Sequence, residues 1–130
     1  MTTRASEVTR DDLRIGPVEV LFGERGGKYP HGNTRLVRGA QETVVIDPSL
    51  ALVAPREHLP HLDRVLNSHC HEDHVAGNHL FPDVPWHVHE RDVVGFRSLD
   101  DMMAIYGYAA EVGDEFRRVV VEQFHWVARP

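Results

Sequence analysis

The chain has 130 residues, a formal net charge of −6, ten histidines and a single cysteine. Its 42% apolar and 26% charged residues are those of one globular domain with a real core. The acidic balance excludes a broad nucleic-acid-binding face, lone Cys70 excludes an internal disulfide, and no apolar run reaches the roughly 18 residues that a membrane helix needs.

In chain order, residues 1–15 read as a polar lead-in, unlike a secretory leader, so the expected location is cytoplasmic. Residues 18–22 have strand composition, and four glycines with Pro30 mark a loop over 23–32. Residues 35–38 and 43–46 flank Gly39-Ala40-Gln41-Glu42, which predicts an antiparallel hairpin with a four-residue turn. The unbroken apolar run Val44-Val45-Ile46 predicts a strand covered on both faces. Pro55 and Pro60 limit any helix over 49–62 to a turn or two. Strands at 65–68 and 86–89, with a short helix opening at 75–81 between them, predict a βαβ unit with parallel strands. Residues 98–110 predict a helix: Leu99, Met102, Met103 and Tyr106 form one apolar stripe, and Ser98 can cap it. By periodicity the stripe packs on the core; as a Met- and Tyr-rich surface it also suits a lid over a site. Residues 119–127 open on three consecutive valines and read as a strand.

The chemistry concentrates in Asn67-Ser68-His69-Cys70-His71-Glu72-Asp73-His74. Imidazoles and carboxylates in the pattern His-x-His-x-Asp-His are ligands for zinc and similar divalent ions. On an extended segment His69 and His71 point to one side and can share an ion. Asp73 and His74 follow at once and can turn toward a second ion nearby, so the spacing suits a two-metal site. A His-rich surface turn is the bland alternative. The cluster ends a short apolar strand just before a helix, where α/β folds place their sites. Cys70, between two ligands, points away from the metal and reads as a small buried side chain. His87-x-His89 repeats the spacing without a carboxylate and reads as packing or exposure, while Asn33 reads as a turn residue.

The run from Leu66 to Gly77 resembles the metal-binding signature of the metallo-β-lactamase-fold hydrolases, a superfamily that includes glyoxalase II-like thioesterases, lactonases and β-lactamases. Upstream, Gly32-Asn33-Thr34-Arg35-Leu36-Val37 and Val44-Val45-Ile46-Asp47-Pro48 are similar to its opening strands and Asp-bearing turn. The resemblance implies an α/β (α+β) fold: half or slightly more of an αβ/βα sandwich, with a mixed sheet and an N-terminal antiparallel hairpin. Residues 16–130 are then a domain incomplete at its C-terminus. It implies zinc, two ions in the complete site, with iron or manganese as alternatives. Its substrate is a small molecule with an ester, thioester, lactone or amide bond. His69 and His71 fall to the first ion, and Asp73 and His74 to the second. Asp73 also has a catalytic part, because in related single-metal enzymes that aspartate steers a water or accepts a proton. His125, 56 residues after His69, is the candidate third ligand to the first ion. It lacks the Pro-Gly pair that usually precedes that histidine, and an exposed strand-end His is the alternative. Asp47 reads either as the residue that orients a ligating imidazole or as a turn-forming Asp before Pro48. No residue matches the family's bridging Asp or last His. The alternative function is a non-catalytic metal-binding half-domain that completes its fold with a second copy, a C-terminal half or another partner.

Overall fold

The computed structural model describes residues 13–53, 61–107 and 110–130. Six strands form one sheet in sequence order: β1 (Leu13–Ile15), β2 (Val18–Leu21), β3 (Thr34–Arg38), β4 (Thr43–Ile46), β5 (Arg64–Leu66) and β6 (Trp86–His87). Neighbours from β1 to β4 are antiparallel, β1–β2 and β3–β4 through short turns and β2–β3 through the loop at 22–33, while β4–β5 and β5–β6 are parallel and need crossovers. The helices are α1 (Leu50–Val53), α2 (Glu72–Val75), α3 (Val94–Arg97), α4 (Leu99–Tyr106) and α5 (Ala110–Glu122). This is the mixed α+β architecture expected, with its β3–β4 hairpin and its parallel β5–α2–β6 unit.

Register places Leu36, Val45, Val65 and Trp86 in one row across the sheet. That row, with Leu21, Leu52, Leu62 and Phe81, makes the first apolar cluster. The second gathers Cys70, Val75, Phe96, Met102, Met103, Val120 and Trp126, and Trp86 packs against both. The chain therefore leaves one cluster at Val65 and enters the other at Cys70 and Val75. The histidine motif is pinned at both ends by apolar burial. Met102, 0% exposed, holds α4 in the second cluster. Met102→Ala is expected to destabilise the fold by about 2–5 kcal/mol, read from the urea midpoint. Cys70 is buried under α3, where a Cβ on Gly95 would lie 2.6 Å from its Sγ. Burial pushes its thiol pKa up, which disfavours a reactive thiolate.

Five expectations change. Leu13–Ile15, read as the end of the lead-in, pairs with β2 through a turn at Gly16, whose φ of +56° suits glycine. β4 is not covered on both faces: Val45 is buried, but Val44 and Ile46 are half-buried on the other face, in rows that end at exposed Ile15 and Leu13. The helix near the motif starts earlier, at Glu72, and β6 stops at His87 because His89 caps the next turn with its ring. Residues 119–122 continue α5 rather than form a strand. Val120 and Phe124 are 0% and 1% exposed while Val121 is 46% exposed, so burial follows a four-residue spacing from Phe116. One buried helical stripe outweighs the strand preference of three valines.

Residues 1–12 of the lead-in, and the segment with Pro55 and Pro60, lie outside the described residues. The 98–110 helix is α4, capped by Ser98 Oγ accepting from the Asp101 amide at 3.0 Å and closed by left-handed Gly107. No helix among the described residues is long and apolar enough to cross a membrane.

Candidate metal centre

The motif begins where β5 ends. Asn67 and Asn78, both buried, exchange side-chain amide hydrogen bonds at 2.8 and 3.2 Å, and Asn67 Nδ2 also donates to the His74 carbonyl. These bonds fold the segment back on itself, so residues 69–74 form a tight bend rather than a continuing strand.

Asp47 sits at the end of β4 beside this bend, 3% exposed and with a left-handed φ of +54°. Aspartate is among the few residues that tolerate that region, and a non-glycine there is uncommon. Its carboxylate accepts three hydrogen bonds: Ser68 N–H at 2.7 Å, Ser68 O–H at 2.6 Å and His74 Nδ1–H at 3.0 Å. The tautomers follow. His74 gives its Nδ1 proton to Asp47, which leaves Nε2 to ligate. Ser68 spends its one proton on Asp47, so at 2.8 Å its oxygen must accept from His69 Nδ1–H, which leaves His69 Nε2 to ligate as well. One buried carboxylate thus orients two imidazoles, one directly and one through a serine.

The rings are crowded. His69 lies 4.2 Å from His74 and 4.6 Å from His71 between centroids, and His74 Nε2 faces Asp73 Oδ2 at 3.6 Å. Burial, then the neighbouring His74 and His71, lower the His69 pKa, so that ring is held neutral as a ligand must be. The Asp47 hydrogen bond raises the His74 pKa against the effect of burial. A divalent ion would reverse that preference by displacing the proton.

A family model described as the metallo-beta-lactamase superfamily matches residues 28–125, most of the chain. The chain belongs to the metallo-beta-lactamase superfamily. No curated protein and no solved structure matches it. Membership points to hydrolase-type chemistry and to the divalent metals, often zinc, that the superfamily typically binds.

The residues fit such an ion in donor chemistry: three imidazoles and a carboxylate, two of the imidazoles with Nε2 left available. The shell is not closed. Among the described residues no group of three or more His, Cys, Asp or Glu side chains is gathered closely enough to hold an ion as they stand.

His125 is not gathered with the motif. It takes a left-handed φ of +57° just past α5, where the chain reverses and the Trp126 amide bonds back to the Val120 carbonyl at 3.2 Å. Its ring lies against His79, 4.9 Å between centroids. The strand expected to end at His125 is absent, because residues 119–122 continue α5 and the chain beyond it is irregular. His87 meets Arg64 at 3.1 Å and His89 caps a turn, so neither joins the superfamily's ligands. Asn33 is a turn residue, as expected, with its Oδ1 accepting from the Gly23 amide.

Around the motif, Ser68 and Glu72 carry no role in the sequence alone, and Tyr106 only that of core or lid. Ser68 is legible only once Asp47 is beside it. Glu72 carries no such signal, since a glutamate in a polar motif is ordinarily exposed, yet it is 3% exposed. Tyr106, at the end of the apolar stripe, was read as core or lid; its ring stacks on His71 at 5.1 Å and 24°.

Proposed function

We propose that the chain carries the metal-holding part of a metal-dependent hydrolase acting on an ester, thioester, lactone or amide bond of a small molecule. The observation that carries this reading is the bend at the end of β5, where one buried carboxylate leaves the Nε2 atoms of both His69 and His74 available. His69 and His71 would hold one ion, and Asp73 and His74 a second. Zinc is the first choice for such donors, with iron and manganese as alternatives. When bound, the ion supplies Lewis acidity and makes hydroxide available near neutral pH.

The chain's own residues do the rest. Asp47 and Ser68 fix the tautomers. Asp73, with its carboxylate 3.6 Å from His74 Nε2, would orient the attacking water or take its proton. A protein nucleophile is not required, and buried Cys70 is not one.

A second reading is favoured by the open sheet face. Leu13, Ile15 and Leu66 are 45%, 63% and 37% exposed on the face opposite the core row. Exposed apolar surface of this kind favours association. On that reading the chain is a non-catalytic metal-binding half-domain that docks through this face. The two readings separate when the full chain is reloaded with zinc and assayed against a panel of thioesters, lactones and esters. Zinc-dependent turnover, removed by a chelator, is the expected result. Bound zinc without turnover, together with a concentration-dependent dimer, would favour the second reading. No retained zinc, iron or manganese would sink both.

A further inference from the structure

Glu72 stands between two candidate ligands, yet its side chain turns away from solvent. Each carboxylate oxygen receives one phenol: Tyr29 O–H donates to Oε2 at 2.6 Å and Tyr106 O–H donates to Oε1. Burying a carboxylate is costly unless it is compensated in this way, and an apolar residue would fill the same space without that cost. The feature that sets the pair apart is what Tyr106 touches. Its hydroxyl is held by Glu72 and its face lies on the ring of His71, the residue just before Glu72. Adjacent residues of the motif grip one tyrosine, one by its oxygen and one by its ring. Tyr106 is in turn wedged from α5 by Phe116, edge to face at 5.1 Å, and α4 ends there with Gly107.

We propose that Tyr106 and Glu72 are positioning residues for His71, a clamp that sets the plane of its imidazole before an ion arrives; this role rests on the metal-holding reading of the motif. His71 is exposed and gets its orientation from a stacked ring, whereas His69 and His74 are oriented through Asp47. A free exposed imidazole must lose rotamer freedom on binding an ion, and a clamped one has already lost it. Residues that orient ligands in this manner typically govern about 10–100-fold of metal affinity. The clamp also ties α4 and α5 to the site, so the far helices report on the motif through one side chain.

The test uses the full chain with Tyr106→Phe, Tyr106→Leu and Glu72→Gln, and Met102→Ala as a control for general destabilisation. Two readouts are needed. In the metal-free chain, the ring protons of His71 are expected upfield by NMR from stacking on Tyr106. They should move to unstacked positions in Tyr106→Leu and part of the way in Tyr106→Phe and Glu72→Gln. In cobalt(II) titrations followed by visible absorption, the three variants should bind about 10–100-fold more weakly, with altered bands. Met102→Ala should keep the bands of the unmutated chain. A purely structural staple would lower stability and leave the bands alone. Unstacked His71 shifts in the unmutated chain, or unchanged cobalt affinity and bands in Tyr106→Leu, would overturn the clamp. If His71→Ala binds cobalt as tightly as the unmutated chain, the metal reading fails and the clamp has no ligand to serve. That result is distinct from a failure confined to Tyr106 and Glu72.

Discussion

His69→Ala and His71→Ala are each expected to bring bound zinc down to background, measured by elemental analysis after gel filtration in chelator-treated buffer. The reason is donor count. Few side chains can ligate in the bend, and neighbouring donors cannot move in to replace one. Cys70 is buried in the second apolar cluster, and Glu72 is committed to two phenols. The loss should exceed the roughly 10–100-fold typical of residues that only support a ligand. His87→Ala and His89→Ala serve as controls, because those rings are engaged with Arg64 and with the turn at Glu90–Asp92. Retention in His125→Ala is the result expected from its place against His79; a loss matching that of His69→Ala would make it the third ligand. Unchanged zinc in either His69→Ala or His71→Ala would remove the site assignment.

Much of the fold was legible because its signals are local. The β3–β4 hairpin follows from two apolar runs around a glycine-led turn, and α4 from a stripe and a serine cap, although Gly107 ends it short of residue 110. The motif itself was legible because ligand spacing is a one-dimensional property. What failed was set by tertiary context. Three consecutive valines favour a strand until Val120 joins the second cluster from one face of α5. The same change of element sets His125 just past α5 instead of at the end of a strand. An orienting role for Asp47 was one of its two readings, but its partner Ser68 escaped for a similar reason. Asp47 and Ser68 are 21 residues apart, and only the parallel pairing of β4 with β5 sets them side by side. Glu72 and Tyr106, 34 residues apart, meet only once α4 has docked.

Asp47→Asn is expected to weaken zinc binding by about 10–100-fold and to cost about 1–3 kcal/mol of metal-free stability. Asparagine is the informative substitution because it also tolerates the left-handed φ of +54°, whereas alanine would add backbone strain. What changes is acceptor capacity. Asp47 uses both oxygens to accept from Ser68 N, Ser68 Oγ and His74 Nδ1, and an amide replaces one acceptor with a donor. The network must then either face a donor with a donor or switch an imidazole to the tautomer that protonates Nε2. The pH dependence gives a second readout. Burial pushes the Asp47 carboxyl up, but hydrogen bonds from His74 and Ser68 outweigh it and leave the pKa below 3.8. Its contribution to stability is therefore present above 3.8 and lost as pH falls through the folded-state value. His74 is raised above 6.5, chiefly by the same bond, so its contribution is complete below 6.5 and lost as pH rises through its folded-state value. The metal-free chain should thus gain most from this pair between 3.8 and 6.5. Zinc competes with the His74 proton and should move the optimum upward. Urea midpoints across pH, with and without zinc, should show both effects in the unmutated chain and a flattened profile in Asp47→Asn. A variant that kept the original profile and affinity would mean that Asp47 is a turn residue and no more.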